Sequence, residues 1–468
     1  MSVLSNNDTW VTKLLHHPGA DPLVQSLIPI YDRNGNPVAL PDSDTGVPYS
    51  PSLLETFTQH SDGSVTLYYT LSTWNPYQVF LMSSTFVIPG TMTLEKTSLT
   101  FAAVSSGASF TSQTPAQTVR LTQSGAGSIT WTATSTAPWL VLSPASGSGP
   151  ATLSISTRFT SGLTASQTGS ITVALTGASS TVGPIGVRLT TVAANAAASP
   201  PFGVVDTPAG DATVLAGSIA VTGWTLDNIG VQRVELWRDL QPGETTMPFS
   251  STPTDPRTGK VFIASPTFVD GARPDIEGLY PSTPASYRSG WGYLMLTWGL
   301  WNQGNGTYRL YAFAFDQENN VSTIGTKTIV VNNNAATKPF GSIDTPEVGA
   351  NASGPNFGWG LTPKVNGAAT CKIQSNGVQV SIDSGPLQPV VYGDARPDIA
   401  GAFPGFSNSA AGGGHFIFDW STLTNGLHTI GWLITDDCNR ADGVGSRSFN
   451  VTNGVSALTA SSDAPFRL

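Results

Sequence analysis

Short segments in which apolar and polar residues alternate recur along most of this chain. Residues 64–72 (SVTLYYTLS) and 116–123 (AQTVRLTQ) are typical, and Gly, Pro, Ser or Asn residues separate such segments. A period of two bounded by turn residues is typical of half-buried strands. The other clear segments are 78–86, 128–133, 151–157, 168–174, 186–192, 218–224, 231–238, 292–298, 307–316, 325–331, 356–361, 371–374, 378–382, 414–420, 427–436 and 446–451. The pattern predicts an all-β protein.

The C-terminal half contains a tandem duplication. Residues 202–208 (FGVVDTP) return as 340–346 (FGSIDTP), and the ARPDI motif at 272–276 returns at 395–399. The separation between copies falls from 138 positions at the first motif to 123 at the second, so the first copy has longer loops. Motifs kept in the same order predict two domains of one fold.

The strands and linkers divide the 468 residues into several domains. About seven short strands in a hundred residues indicate an immunoglobulin-like β-sandwich. We predict an incomplete unit, three sandwiches and a polar tail, at 1–90, 91–195, 196–335, 336–452 and 453–468. The duplicated pair resembles the immunoglobulin-like repeats of large secreted bacterial proteins, a type that implies no defined ligand.

The first unit also carries a family resemblance. Residues 49–82 read YSPSLLETFTQHSDGSVTLYYTLSTWNPYQVFLM. They resemble the closing blade of a five-bladed, glycosidase-like β-propeller from a bacterial domain family of unknown function. A blade buries its faces only against neighbouring blades. The resemblance therefore implies a partial blade, and no catalytic residue is carried over to this chain.

Residues 91–195 carry a second resemblance. The runs at 131–133 (WTA), 138–144 (PWLVLSP) and 146–150 (SGSGP) resemble the BACON domain family. That family is named for a proposed carbohydrate-binding role, and its members accompany glycosidases and proteases as accessory modules. Trp131 and Trp139 could stack on a sugar ring. Packing in the sandwich core is the favoured alternative for both.

The amino-acid composition limits the classes of binding partner that the chain can have. Only 11% of the residues are charged, the net charge is −9, and there are 49 Gly and 34 Pro. These values suit a turn-rich extracellular protein and argue against nucleic acid, which requires clustered Lys and Arg. No apolar run is long enough to span a bilayer. Residues 1–17 lack the pattern of a secretory signal, so we expect the chain to be the C-terminal part of a longer exported protein.

The ARPDI motif is the most chemically suggestive feature. In each copy an Arg lies between two acids, which are Asp270 and Asp275 in the first and Asp394 and Asp398 in the second. Such acids could hold calcium, which needs six to eight oxygen ligands. The favoured alternative is structural, with the Arg binding an extended loop to its own carboxylates. No other cofactor is expected.

Three further sets of residues are candidates. Trp291 and Tyr293 differ between the copies, where they are aligned with Gly413 and His415, and they would suit a sugar-stacking surface or an inter-domain contact. Cys371 and Cys438 are the only cysteines. In an oxidising compartment we expect them to form a disulfide, the alternative being two unrelated thiols.

No nucleophile, base and orienting acid stand at a recognisable spacing, so we expect no catalysis by this chain. The function predicted is a non-catalytic extracellular accessory or stalk region that could contact polysaccharide. Two alternatives remain. The chain could be the C-terminal fragment of a secreted glycoside hydrolase. It could also be a subunit of an extracellular fibre that assembles through the N-terminal blade or the C-terminal tail.

Overall fold

A computed structural model describes residues 47–61, 64–74, 78–87, 90–125, 129–176, 182–194, 199–210, 213–347, 349–364, 367–423 and 426–452. The structural statements below concern these residues. Residues 1–46 of the predicted blade unit and the predicted tail at 453–468 lie outside the described residues. The fold is all-β, as the alternating pattern predicts.

The first described unit, which we call the N-terminal sheet, is antiparallel. Its strands are β1 (Val47–Leu53), β2 (Gln59–Ser61), β3 (Ser64–Trp74) and β4 (Gln78–Val87). β3 is central, with β4 along one edge and β1 and β2 sharing the other. Leu71 is buried, whereas Val79 and Leu81 on β4 are exposed. The propeller interpretation of this sheet stays a prediction.

The first sandwich contains ten strands in two sheets. They are β5 (Thr91–Leu94), β6 (Ser98–Ser105), β7 (Phe110–Gln113), β8 (Gln117–Ser124), β9 (Thr130–Ser135), β10 (Leu140–Ser143), β11 (Ser146–Ser148), β12 (Ala151–Thr157), β13 (Ser166–Thr176) and β14 (Ile185–Ala193). One sheet has the order β10-β12-β8-β5 and the other β11-β9-β13-β14-β6-β7. Alternate residues of β8 are buried, and Val119 and Leu121 enter the core between the sheets.

The second sandwich contains nine strands. They are β15 (Phe202–Thr207), β16 (Thr213–Leu215), β17 (Ser218–Leu226), β18 (Val231–Asp239), β19 (Lys260–Ala264), β20 (Thr267–Phe268), β21 (Gly290–Leu296), β22 (Gly306–Asp316) and β23 (Val321–Val331). The sheets have the orders β15-β17-β21-β20 and β16-β23-β22-β18-β19. Lettered A, A′, B, C, C′, D, E, F and G in chain order, these are sheets ABED and A′GFCC′, the arrangement of an immunoglobulin-type domain.

The third sandwich repeats this order. Its strands are β24 (Phe340–Ile343), β25 (Asn356–Leu361), β26 (Ile373–Ile382), β27 (Gln388–Pro389), β28 (Val391–Asp394), β29 (Gly413–Phe416), β30 (Gly426–Asp436) and β31 (Ala441–Val451). The sheets are β24-β25-β29-β28 and β27-β26-β30-β31. Where the second sandwich has the parallel pair β16 and β23, the third has a single parallel bridge between Asn351 and Asn450.

Two short α-helices interrupt the sandwiches at equivalent places. They are α1 (Pro274–Leu279) and α2 (Pro397–Ala402), and each begins at the proline of an ARPDI motif. Proline is favoured in the first helical turn, where its missing N–H is not needed. Single 3-10 turns occupy Glu55–Phe57, Ser286–Arg288, Thr297–Gly299, Asn333–Ala335, Ser409–Ala411 and Trp420–Thr422. Trp301–Gly304 is a turn in which Asn302 and Gln303 have left-handed backbone angles.

Strand pairing corrects the alignment of the two copies by one residue. Trp224 pairs with Gly290, and its counterpart Trp359 pairs with Gly413. Gly290 is therefore equivalent to Gly413, which makes Trp291 equivalent to Gly414 and Tyr293 equivalent to Phe416. The sequence comparison aligned Gly413 with Trp291, because the segment from Gly290 to Gly306 is three residues longer than the equivalent segment from Gly413 to Gly426.

Among the described helices, every one is too short or too polar to cross a membrane.

Candidate functional site at the domain junctions

The two duplicated motifs meet in space. In the second sandwich, Arg273 donates hydrogen bonds to Asp275 from Nε (2.9 Å) and Nη2 (2.7 Å), and its Nη1 contacts Asp206 of the DTP motif. In the third sandwich, Arg396 forms the same bonds with Asp398 (2.8 and 2.6 Å) and with Asp344 (2.6 Å). Each Arg thus binds the start of a short helix to the DTP motif at the end of the first strand of its sandwich.

These contacts also set the charge state of the motif. The guanidinium of Arg273 lowers the pKa of Asp275 to about 2, and Arg396 does the same for Asp398. Both carboxylates are therefore ionised over the physiological range and are already paired. A metal ion at either would have to compete with a guanidinium, so the geometry favours the structural alternative for Asp275 and Asp398.

The other two candidate acids have different partners. Asp270 lies 3.8 Å from Lys96 of the first sandwich and 3.8 Å from Arg288. Burial raises the pKa of Asp270, and the two cations oppose that shift. Asp394 is 2.7 Å from Nδ1 of His415. In the second sandwich, Asp270 and Asp275 thus contact different cations, and in the third Asp394 and Asp398 contact a histidine and an arginine.

The aromatic candidates are packed inside the sandwiches. Trp139 is 5% exposed and Trp291 is 3% exposed, so neither offers a ring face to a sugar. Trp139 and Trp131 belong to the core of the first sandwich. Tyr293 is half-buried against the core that contains Trp291. Burial raises the pKa of Tyr293, and the charge of Arg447 in the third sandwich opposes this shift.

The difference between copies at Trp291 has a packing explanation. In the second sandwich, a Cβ on Gly223 would lie 2.5 Å from the indole of Trp291. In the third, a Cβ on the equivalent Gly358 would lie 2.9 Å from the indole of Trp432. Strand register shows that Trp432 occupies the position in the third sandwich that Ala312 occupies in the second. Each core therefore holds one indole against the equivalent glycine. In the second sandwich the indole comes from the sheet that contains the glycine, and in the third it comes from the other sheet.

The first junction joins the first and second sandwiches through a buried threonine. The Thr114 hydroxyl lies 2.5 Å from the carbonyl of Ile229, and the N–H of Ala102 donates to that hydroxyl (2.8 Å). Ile229 packs against Ala102 and Val104. Asp227 shapes the turn that carries Ile229, since its Oδ1 accepts from the N–H groups of Ile229 and Gly230, both at 2.8 Å.

A second contact supports the same junction. Nζ of Lys96 lies 3.8 Å from the centroid of the Tyr287 ring and the same distance from Asp270. A cation held between a carboxylate and an aromatic face gains from both when it is removed from water. Sequence reasoning did not single out Thr114 or Lys96, because each has its partner more than a hundred positions away.

Beneath the junction turn lies an acidic cluster. Asp227, Asp316 and Glu318 place carboxylate oxygens within 4.8 Å of one another. Burial raises the pKa of Asp227, three backbone N–H groups oppose this shift, and the charge of Asp316 adds to it. Burial also raises the pKa of Glu318, and the charges of Asp316 and Asp227 raise it further. Two of these acids, Asp227 and Asp316, are almost fully buried.

The third sandwich has a guanidinium at the equivalent place. Asp436 corresponds to Asp316, and its Oδ2 accepts from Nε of Arg440 (2.7 Å) and from the hydroxyl of Thr362 (2.5 Å). Thr362 replaces Asp227, and Arg440 replaces Asn320. Burial would raise the pKa of Asp436, but Arg440 and Thr362 hold it below its ordinary value. In the third sandwich the buried carboxylate is therefore paired with a guanidinium, whereas the second sandwich holds three acids at the equivalent place.

The second junction is a shared aromatic cluster. Trp298 of the second sandwich stacks on Phe340 of the third, with ring centroids 4.6 Å apart and planes 15° from parallel. Phe406 packs edge-on against Trp298 at 5.3 Å. Phe340, Trp359 and Phe403 complete the cluster, in which every ring is buried. Trp298 extends from one sandwich into the next, although sequence comparison matched it to Trp420, which packs inside its own sandwich.

The matching cluster in the second sandwich is open. Phe202, Trp224 and Tyr280 occupy the positions of Phe340, Trp359 and Phe403, with ring centroids 5.5–5.9 Å apart. Phe202 is 41% exposed, whereas Phe340 is fully buried. The first sandwich thus does not cover these rings as Trp298 covers their counterparts.

A disulfide closes one end of the third sandwich. Cys371 and Cys438 are joined, with Cα atoms 5.8 Å apart across 67 positions of sequence. The bond connects the segment before β26 to the turn between β30 and β31. The equivalent turn of the second sandwich holds Glu318. The N–H of Gln317 in this turn donates to the carbonyl of Gly230 (3.0 Å), next to Ile229, which contacts the first sandwich. The same end of the two copies is therefore closed by a covalent bond in one and by a neighbouring domain in the other.

Comparison with known proteins gives one family match. The model of a family described as the viral BACON domain matches residues 91–189, which is the first sandwich without its last strand residues. This supports the BACON resemblance for that sandwich. Comparison with curated proteins returned no match.

The chain also has distant similarity to solved structures. Fibronectin(III)-like modules of Clostridium thermocellum CbhA are 14% identical over 53% of this chain and 93% of theirs, with a TM-score of 0.17. The protocadherin GammaB4 extracellular domain is 10% identical over 91% of this chain and 58% of its own, with a TM-score of 0.20. Drosophila N-cadherin EC1-4 is 8% identical over 84% and 85%, with a TM-score of 0.22.

TM-scores this low do not establish a shared arrangement of domains, and the fold assignment rests on the strand orders given above. Those strand orders and the two junctions define a chain of β-sandwiches, the last two with immunoglobulin-type topology. Its first sandwich is similar to the viral BACON family.

Proposed function

We propose that this chain is a non-catalytic, extracellular stalk whose three sandwiches form one stiff rod. The observation that carries the proposal is the aromatic cluster shared between the second and third sandwiches. Independent domains on a flexible linker do not bury rings in each other, and relative motion is expected only where an interface is small or polar. The buried Thr114 contact gives the first junction the same character.

The polar groups of the described residues also support a structural role. The duplicated arginines bind motifs of their own sandwich, and Lys96 joins two sandwiches. A catalytic acid or base is usually left free to meet a substrate and has a pKa near the working pH. The carboxylates of Asp275 and Asp398 are instead fully ionised and paired.

Small-angle X-ray scattering of the full chain tests the stiffness. We expect a well-defined maximum dimension for the natural protein and a broader, more flexible profile for Trp298→Ala, which removes the ring stacked on Phe340. Trp301→Ala is the matched control, because Trp301 lies on the same loop but is exposed. If Trp298→Ala and Trp301→Ala scatter like the natural protein, the shared cluster does not set the stiffness.

A stalk of this kind would serve as an accessory that brings polysaccharide to a partner domain. The carbohydrate-binding role proposed for BACON domains supports this part of the proposal, although the buried positions of Trp139 and Trp291 move the expected contact away from those rings. Pull-down of the full chain on a panel of neutral and acidic polysaccharides tests it. If the chain binds none of these polysaccharides, the accessory role is wrong and only the spacer role of the stalk remains.

A second candidate is a subunit of a self-assembling fibre, which the viral description of the matching family favours. The exposed Val79 and Leu81 on the N-terminal sheet support it, since an edge or face of that kind invites a partner strand. Size-exclusion chromatography with light scattering separates the candidates. A polymer whose mass grows with concentration favours the fibre, and a monomer at all concentrations favours the single stalk.

A further inference from the structure

The two edges of the N-terminal sheet differ in how they could meet another strand. On one side of the central strand β3 lie β1 and β2, and on the other side lies β4. Among the described residues, no strand pairs with the outer edge of β4. An edge strand has a row of unpaired N–H and C=O groups that can bind a further strand. The sequence of each edge therefore determines which of the two can do so.

The edge formed by β1 and β2 is protected against pairing. β1 contains Pro48 and Pro51, and proline has no N–H to donate to a neighbouring strand. The register of β1 against β3 also shifts between Tyr49 and Ser52, which interrupts the ladder. β2 adds only the three residues Gln59–Ser61. Prolines, irregular register and short strands are features by which proteins prevent pairing at an edge.

The opposite edge has none of these features. β4 has ten residues, QVFLMSSTFV, and contains no charged residue, proline or glycine. It pairs with β3 over its whole length without a shift in register, from Gln78 opposite Thr73 to Val87 opposite Ser64. The outer edge of β4 is therefore regular as well as uncharged. A long and regular edge without charges is the kind that pairs with another chain.

The side chains of β4 also favour a covered edge. Val79 is 58% exposed and Leu81 is 67% exposed, and they lie on the same face of the strand because they are two positions apart. Of the side chains that the structure describes in this sheet, only that of Leu71 is buried. A strand placed beside β4 would supply cross-strand neighbours to Val79 and Leu81 and would remove part of their surface from water.

The difference between the edges also determines the partner. If β4 of one copy paired with the β1 edge of the next, repetition would give an open fibre, but the prolines and the register shift of β1 oppose that contact. The edge that remains available in every copy is β4 itself. Two antiparallel β4 strands are related by a two-fold axis, so the contact is closed after two copies. Because β4 is uncharged, no like charges meet across that axis.

We propose that two copies of this chain pair through the outer edges of their β4 strands, which joins two N-terminal sheets into one antiparallel sheet. The main-chain groups of β4 supply the hydrogen bonds, and Val79 and Leu81 of each copy are covered by the strand of the other. This inference goes beyond the single stalk, because it joins two stalks through their N-terminal sheets. It also differs from the fibre candidate, since the pair has no free β4 edge and does not grow.

Size-exclusion chromatography with light scattering of the full chain tests the proposal. We expect a mass that rises with concentration to twice the 48.8 kDa of one chain and then stays constant. Leu81→Lys with Ser83→Lys adds two charges at exposed positions of β4. Since like charges then meet in the pair, the dissociation constant should rise by roughly tenfold or more. Ser52→Lys with Gln59→Lys is the matched control, because it adds the same charge at exposed positions of the opposite edge, and it should dimerise like the natural protein.

Hydrogen exchange locates the contact in the same samples. In the natural protein, the amides of β4 should become more protected as the concentration rises, because the outer N–H groups of that strand gain partners, and the amides of β1 should not change. The variant with Leu81→Lys and Ser83→Lys should lose this dependence on concentration while its circular dichroism stays that of the folded chain.

Each other result overturns the proposal. A monomer at every concentration shows that β4 does not pair, and a mass that grows beyond two copies shows that the contact is not closed. A dimer that the β4 variant retains, or protection that rises only outside β4, places the contact on another surface. If the β4 variant does not fold, exchange in the natural protein still decides. A monomer that is stiff in scattering keeps the proposed function while this inference fails.

Discussion

Trp291 and Trp432 show how one residue can mislead when two copies are compared. Each indole covers the same glycine, but one comes from β21 and the other from β30 of the opposite sheet. Ala312 stands where Trp432 stands in the other copy, so the pair of positions holds one large and one small side chain in both sandwiches. The volume of the core is kept, although neither position keeps its residue.

A volume exchange of this kind can be tested by reproducing it. Trp291→Ala should destabilise the second sandwich by about 3–5 kcal/mol, because it leaves a cavity in a closed core. Adding Ala312→Trp should recover part of that loss, whereas Ala312→Trp alone should overpack the core and destabilise it. Calorimetric unfolding of the full chain measures the three variants. No change on Trp291→Ala would mean that the indole is not part of the core.

Asp227 carries the clearest pH dependence. Its pKa is raised by burial in the folded state, so its ionisation is more costly there than in the unfolded chain. A raised folded pKa contributes stability below the unfolded value, and that contribution is lost as the pH rises through the folded value. We expect Asp227→Asn to keep the bonds to Ile229 and Gly230 through its amide oxygen. It should be more stable than the natural protein near pH 7 and equal to it near pH 3, as followed by thermal unfolding.

The third sandwich suggests a matched experiment for the same cluster. Asn320→Arg with Asp227→Thr reproduces the arrangement of Arg440 and Thr362 around Asp436. We expect this double variant to raise the melting temperature of the second sandwich at pH 7 and to remove the dependence on pH described for Asp227. A lower melting temperature would show that the turn at the first junction requires the carboxylate of Asp227.

At the scale of elements, the duplicated motifs are explained by one interaction. The DTP segment starts a sandwich and the ARPDI segment starts a short helix, and an arginine joins them in both copies. The fork of a guanidinium can contact two carboxylates at once, which a lysine cannot do with the same geometry. Both motifs are therefore kept because each is the partner of the other.

Hydrogen exchange tests this coupling locally. Arg396→Gln should reduce the protection of amides in α2, because Asp344 and Asp398 lose their shared partner, while α1 should be unaffected. Arg273→Gln should give the reverse pattern. Equal loss of protection in both helices from either variant would contradict a local role, and no loss from either would show that the helices are held by their apolar contacts alone.

The strands could be predicted from the sequence far better than the contacts between domains. Alternation located β12 to the residue, because one side of that strand faces a core. The bounds of β25 also match, although five of its six residues are buried. Alternation placed Trp298 at the end of a strand, whereas that residue lies in a 3-10 turn and enters the next sandwich. It also missed α1, whose six residues are too few to show a helical period. A junction depends on residues distant in sequence, and no local pattern records them.

For the molecule as a whole, the ends of the sandwiches are the variable parts. The end of the second sandwich that carries Ile229 contacts a neighbouring domain, and the equivalent end of the third sandwich is held by the disulfide. The equivalent ring cluster is open in the second and covered in the third. The sheets themselves keep the same order. Duplication thus preserved the sandwich and left its two ends to be adapted to what lies next to them.

Removal of the disulfide should affect one domain more than the others. The bond closes a loop of 67 positions, which corresponds to about 4 kcal/mol in the chain-entropy account. We expect Cys371→Ala with Cys438→Ala to lower the transition of the third sandwich in calorimetry and to leave that of the first sandwich in place. A uniform shift of all transitions would show that the domains unfold as one unit.

The rings shared by the second and third sandwiches have a mechanical consequence. A chain of domains joined by flexible linkers lengthens under a small force, because the linkers straighten before any domain unfolds. Here the stretch between two sandwiches cannot straighten until Trp298 leaves Phe340. Tension applied to this protein would therefore reach the folded sandwiches with almost no slack, and the pair would yield in one abrupt step.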